Sequence, residues 1–184
     1  MKANKIQIVG SLILCILLSV SLWQNARAWT TGQTWSSNHQ YYHWNAPVPP
    51  SFWTYIDNSA NTWTNVTPSH WIWTNNLVQG IYIDYLYIDG AGNTLAAYTT
   101  YTSIKIDNSE NWYAGTGVPG STQHDLQSAL THEFGHGVGI GHTSGIYCPG
   151  NTNNATMCPA LPKGTYYART LEGDDRNAIN TLYP

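Results

Sequence analysis

Apolar side chains recur at Leu126, Leu130, Phe134 and Val138, a spacing that lays one buried stripe along a helix. Thr122, with Asp125 three residues on, reads as the start of that helix in a capping-box variant. Gly135, Gly137, Gly139 and Gly141 make its continuation past Val138 unfavourable. A second stripe, Phe52, Ile56, Ala60 and Trp63, follows Ser51, which can cap a helix there. Residues 39–45 read as a first strand, ended by Pro47, Pro49 and Pro50. Three further apolar or aromatic runs cover residues 71–73, 81–88 and 95–106, with turn signals at Asp89-Gly90 and Gly92-Asn93. The last run bends near Tyr101 and counts as two strands. Residues 143–167 are irregular. A final helix opens on Glu172, Asp174 and Asp175 at its positive end and turns Ile179 and Leu182 inward. The layout predicted is α+β, with three helices.

The chain has 184 residues, and its beginning reads differently from the rest. Lys2 and Lys5 precede an apolar run over residues 8–22, and Ala26-Arg27-Ala28 has the small-x-small form of a cleavage site. A membrane anchor is the alternative. Gly10, Ser11, Ser19 and Ser21 interrupt the run, which falls short of the roughly 20 apolar residues a span requires. Residues 1–28 are therefore expected to be a signal peptide and residues 29–184 a single secreted domain without stable membrane association.

That remainder holds four basic side chains (Lys105, Lys163, Arg169, Arg176) against ten acidic ones, a net of −6. Such a surface does not attract nucleic acid or anionic lipid. With Cys15 in the leader, Cys148 and Cys158 remain. Nine intervening residues do not fit the Cys-x-x-Cys spacing of a metal pair, so a disulfide is the expectation in an oxidising compartment.

The chemistry concentrates in His132-Glu133-Phe134-Gly135-His136-Gly137-Val138-Gly139-Ile140-Gly141-His142. Histidines at i and i+4 share a helix face and can reach one ion. A catalytic tetrahedral zinc takes three protein ligands and leaves one position for water. His142 lies too far along to share the face of a continuing helix. Gly139 can take a positive φ and turn the chain back, so that His132, His136 and His142 form one ligand set. Glu133 sits about 100° round the helix from His132. There it can act as general base, accepting a proton from water at a metal that brings the pKa of that water towards ~7.

HExxHxxGxxH resembles the metzincin signature of zinc peptidases, which implies a methionine turn beneath the metal, here Met157 in Ala155-Thr156-Met157. Within the metzincins the chain is most similar to the matrixins, the catalytic domains of matrix metalloproteases. The likeness rests on His124-Asp125-Leu126-Gln127, on Leu171-x-x-Asp174-Asp175-x-x-x-Ile179-x-x-Leu182-Tyr183, on Leu95-Ala96 and on the stretch from Ile106-Asp107 to Trp112. It implies a five-stranded mixed sheet in a zincin-like domain, one catalytic zinc, and pairing of an extended peptide with Leu95, Ala96, Ala97 and Tyr98. It also implies calcium near Asp107, Asn108 and Glu110. The pattern departs from the family at three points. No histidine occurs between His70 and His124 to bind a second zinc, Thr143 replaces the usual Ser, and Pro159 stands where some metzincins carry a ligating Tyr. The expectation is a monomeric, extracellular zinc endopeptidase acting on proteins or peptides, by implication those of the extracellular matrix. Its rival is a catalytically silent binding module stabilised by zinc.

Overall fold

The computed structural model describes residues 29–31, 39–64, 66, 72–76, 80–89, 96–99, 103–143, 148 and 155–184. The leader expected over residues 1–28 lies outside the described residues, as do Leu95, Tyr101 and most of the irregular stretch before Ala155.

The strands are β1 (Trp29–Thr31), β2 (His39–Trp44), β3 (Ile72–Asn75), β4 (Ile81–Leu86), β5 (Ala96–Thr99), β6 (Ser103–Asp107), β7 (Trp112–Tyr113), β8 (His124–Asp125) and β9 (Ile140–Thr143). The helices are α1 (Trp53–Thr64), α2 (Leu126–Gly137) and α3 (Gly173–Leu182). Together they make an α+β domain with three helices.

Five strands hydrogen-bond in the order β3-β2-β4-β6-β5. β2 runs parallel to β3 and to β4, and β4 runs parallel to β6. β5 is antiparallel to β6 and occupies one edge. Two small ladders stand apart, β1 with β9 and β7 with β8. Neither was legible as a strand pair, because two to four residues are too few to show a period.

The alternation in β4 explains its facing. Ile81 and Ile83 are buried while Tyr82 between them is exposed, as pleating requires. Ile104 and Ile106 of β6 extend the same apolar layer, and Leu126, Leu130, Phe134 and Val138 are all fully buried against it. Tyr42 meets Phe134 edge-to-face at 5.3 Å and joins sheet to helix. Phe52, Ile56, Ala60 and Trp63 of the first helical segment are buried too. The Trp63 indole donates to the Thr131 carbonyl at 2.8 Å, and Ser59 Oγ donates to that of Gln127 at 3.0 Å. α1 is thereby fastened to the backbone immediately before His132.

Two helix starts differ from expectation. Ser51 makes no cap; it lies inside a 3-10 turn, Pro50–Phe52, that leads into α1. Pro50 presets φ for such a turn and needs no N–H partner. α2 begins after Asp125, not Thr122, and Asp125 Oδ1 accepts the Ser128 N–H at 2.8 Å. The reason is tertiary. Arg169, 44 residues downstream, pairs with both Asp125 oxygens (2.9 and 2.5 Å) and also donates to the carbonyls of Gly115 and Thr116. The carboxylate is held at the helix mouth by a cation that no local pattern announces.

Candidate metal centre

α2 ends where the glycines begin. Val138 N–H still reaches the Phe134 carbonyl at 3.1 Å, and Gly139 N–H turns to that of His136 at 2.9 Å. Gly139 has φ +90°, a conformation with a steric penalty for any side chain. The chain reverses there and enters β9 with His142 near its end.

Three imidazoles then converge. His142 Nε2 is 3.1 Å from His132 Nε2 and 3.2 Å from His136 Nε2. The remote nitrogens are committed elsewhere: His132 Nδ1 donates to the Thr156 carbonyl and His136 Nδ1 to that of Ile140, each at 2.8 Å. These bonds fix the tautomers and leave both Nε2 lone pairs aimed at the shared point. Among the described residues these histidines are the group of three or more side chains able to hold a metal ion. Two nitrogens on a tetrahedral zinc stand about 3.3 Å apart, so the donor set and its spacing fit that ion.

Burial, opposed only in part by the Thr156 carbonyl, pushes His132 down to about 3, and the neighbouring His136 adds to the effect. Burial lowers His136 and His142 as well. All three rings are therefore neutral near pH 7, the form that binds metal. The linkage has a definite sign. Between the ordinary histidine value near 6.5 and about 3, the unfolded chain binds a proton at His132 that the folded chain refuses. Stability of the zinc-stripped protein should therefore fall as pH drops through that window. Melting temperature measured from pH 7 to pH 4 in chelator checks this; a flat profile would contradict it.

Glu133 follows His132 on α2 and is 7 % exposed, and it is not one of the three converging side chains. Met157 lies below, fully buried. Its sulfur packs so closely beneath Gly135 that a Cβ there would stand 2.3 Å from Met157 Sδ and 2.7 Å from Trp63 Cζ2. The HExGH glycine is thus a packing requirement, which the motif by itself does not explain.

The turn carrying Met157 is anchored from α3. Asp175 accepts the N–H groups of Thr156 (2.8 Å), Met157 (3.2 Å) and Glu172 (2.9 Å), while Asp174 accepts the Thr143 hydroxyl at 2.8 Å. Read from sequence, these acids answer only the helix dipole. Their carboxylates also hold the floor of the metal centre, a role that depends on contacts 18 to 31 residues away.

Cys148 and Cys158 form a disulfide with Cα atoms 5.7 Å apart, and Cys158 directly follows Met157. Closing so short a loop contributes about 2–3 kcal/mol in the chain-entropy model. Reduction, or the Cys148→Ser, Cys158→Ser double variant, should lower the melting temperature by several degrees, at about 2–4 °C per kcal/mol. An unchanged melting curve would remove the bridge from any stabilising role.

The other expected site residues are dispersed. Ala96, Ala97 and Tyr98 lie in edge strand β5, while Leu95 is outside the described residues. Asp107 is buried, and its carboxylate accepts Ser109 N–H (2.8 Å), Ser109 Oγ–H (2.7 Å) and Asp89 N–H (3.3 Å). Burial would raise its pKa, but these bonds outweigh it and hold the group below the usual carboxylate range. Glu110 faces His124 at 3.7 Å. Among the described residues no helix is long and apolar enough to cross a membrane.

A helix bearing two histidines, a glycine reversal returning a third and a buried methionine beneath them make the metal centre of a metzincin. The chain belongs to the matrixin family, whose profile matches residues 55–184. It is 30 % identical over 141 residues to matrilysin from Homo sapiens, covering 70 % of this chain and 49 % of that protein. It is 29 % identical over 138 residues to metalloendoproteinase 5-MMP from Arabidopsis thaliana (66 % and 36 % covered) and 34 % identical over 100 residues to metalloendoproteinase 1 from Glycine max (52 % and 30 %). The match therefore spans half or less of these relatives' own lengths.

Proposed function

We propose that this chain is a secreted zinc metalloendopeptidase in which His132, His136 and His142 hold one zinc and Glu133 is the general base. The observation that carries the reading is the convergence of three Nε2 atoms at 3.1–3.2 Å beside a carboxylate one residue from the first ligand. Zinc bound there supplies a Lewis acid that polarises the scissile carbonyl and acidifies water. Glu133 takes the proton from the attacking water and delivers it to the leaving amine. Met157 and Gly135 fix the height of the ligand helix above its floor, and the Thr156 and Ile140 carbonyls keep the two helical imidazoles in the donor tautomer.

The sheet completes the reading. Five strands, parallel except at β5, form the mixed frame, and among the described residues β5 has no strand on its outer side, so an extended peptide can add there as a further strand through Ala96, Ala97 and Tyr98. The leader pattern ending at Ala28 and the Cys148–Cys158 bridge support secretion. We treat residues 29–184 as the working domain and a monomer as its state. Asp107 is engaged in holding its own turn.

The test is direct. Purified secreted protein should contain one zinc per chain by elemental analysis and cleave unstructured peptides. A chelator should abolish cleavage and added zinc restore it. Zinc with no cleavage of a diverse peptide library would favour the silent binding module instead.

A further inference from the structure

Strand β9 has four residues in which to present His142. Its ends are tied down: Ile140 carbonyl accepts from His136 Nδ1, Thr143 N–H donates to the Met157 carbonyl at 2.9 Å, and Thr143 Oγ1 donates to Asp174. Ile140 and Thr143 are both buried, whereas His142 is exposed. A regular strand does not allow that pattern. Ile140 and His142 are two residues apart and would share a face, so His142 would follow Ile140 into the core.

The partner strand supplies the reason. In the antiparallel ladder Trp29 stands opposite Thr143 and Thr31 opposite Ile140, with the register shifting between them. Thr30 alone therefore opposes Gly141 and His142, a two-against-one bulge on the strand that bears the ligand. Bulges of this kind redirect a side chain beside functional sites. α3, which carries Asp174 and Asp175, also lies against β1.

We infer that Trp29–Thr31 is a positioning strand for the metal centre, whose bulged pairing with Ile140–Thr143 turns His142 out of the core and towards His132 and His136. The inference deepens the proposed zinc site and rests on it. It concerns backbone pairing, so the identity of the Thr30 side chain is immaterial while its strand conformation is essential. Thr30→Pro fixes φ far from strand values and removes an N–H; Thr30→Ala keeps both.

Thr30→Pro should weaken zinc binding on the order of 10–100-fold, as loss of a ligand's supporting contacts does. It should also alter the visible absorption of the cobalt-substituted protein. Thr30→Ala should match the parent in both. Equal zinc affinity and cobalt spectra in folded Thr30→Pro would overturn the inference.

Hydrogen exchange on the unaltered protein decides the matter should the proline variant fail to fold. Coupling is reciprocal, so zinc must protect the strand as much as the strand protects zinc. Amides of residues 29–31 should exchange at least about tenfold more slowly with zinc than in chelator. Zinc protection of residues 132–142 with none at 29–31 would sink the positioning strand and leave the zinc site standing. No zinc response anywhere would sink the zinc site and the strand's role together.

Discussion

Glu133→Ala is expected to retain its zinc while peptide cleavage falls by about 10²–10⁴-fold, the usual cost of losing a general base. Glu133 is on the ligand helix, yet the converging atoms belong to the three histidines, so its removal leaves the donor set intact. Glu133→Gln keeps the shape and hydrogen-bonding reach without a basic oxygen and should be nearly as inactive. The fall should appear in kcat, with KM for a peptide little changed, because the lost interaction belongs to the transition state. Zinc content and turnover have to be measured on the same preparation. Full zinc occupancy with near-normal turnover would refute the assignment of the base; loss of zinc would make Glu133 a ligand or a support for one.

Gly135→Ala should destabilise the domain at the metal centre itself. The added carbon would sit 2.3 Å from Met157 Sδ and 2.7 Å from Trp63 Cζ2, and both side chains are fully buried. Trp63 cannot move freely, since its indole is bonded to the Thr131 carbonyl. Overpacking of this kind costs about 1–3 kcal/mol, a loss of several degrees in melting temperature. The contact names its own rescue: with Met157→Ala as well, the two costs should sum to less than their separate values, because the alanine methyl gains the space the sulfur leaves. Strict additivity, or a Gly135→Ala protein as stable as the parent, would show that Met157 does not press on the ligand helix. The same variant should release zinc faster, as Gly135 lies between His132 and His136.

The metal centre was legible because its information is local. Ligands at i and i+4 share a helix face by geometry alone, and only a glycine readily takes the positive φ that brings the third ligand back six residues later; Gly139 has φ +90°. The α2 stripe was legible for the same reason, each of its four apolar residues being fully buried. The Cys148–Cys158 pairing followed from there being no other cysteine in the domain to choose. Thr122 and Ser51 misled because cap propensity is a weak prior that neighbours override, here Arg169 in one case and a proline-led 3-10 turn in the other.

By itself, then, the order of residues determined the α+β character, the three clustered histidines and the carboxylate that follows the first of them, since each depends on spacing within one turn or one strand. Only the tertiary structure decided what holds those residues still. Asp174 and Asp175 are bonded to Thr143, Thr156 and Met157, Gly135 makes room for a sulfur 22 residues away, and a strand of three residues opposes the one that carries His142. These contacts join segments remote in the chain through single hydrogen bonds and close packing. Such contacts leave no period, motif or composition behind, and they exist only once the backbone has brought both partners to the same place.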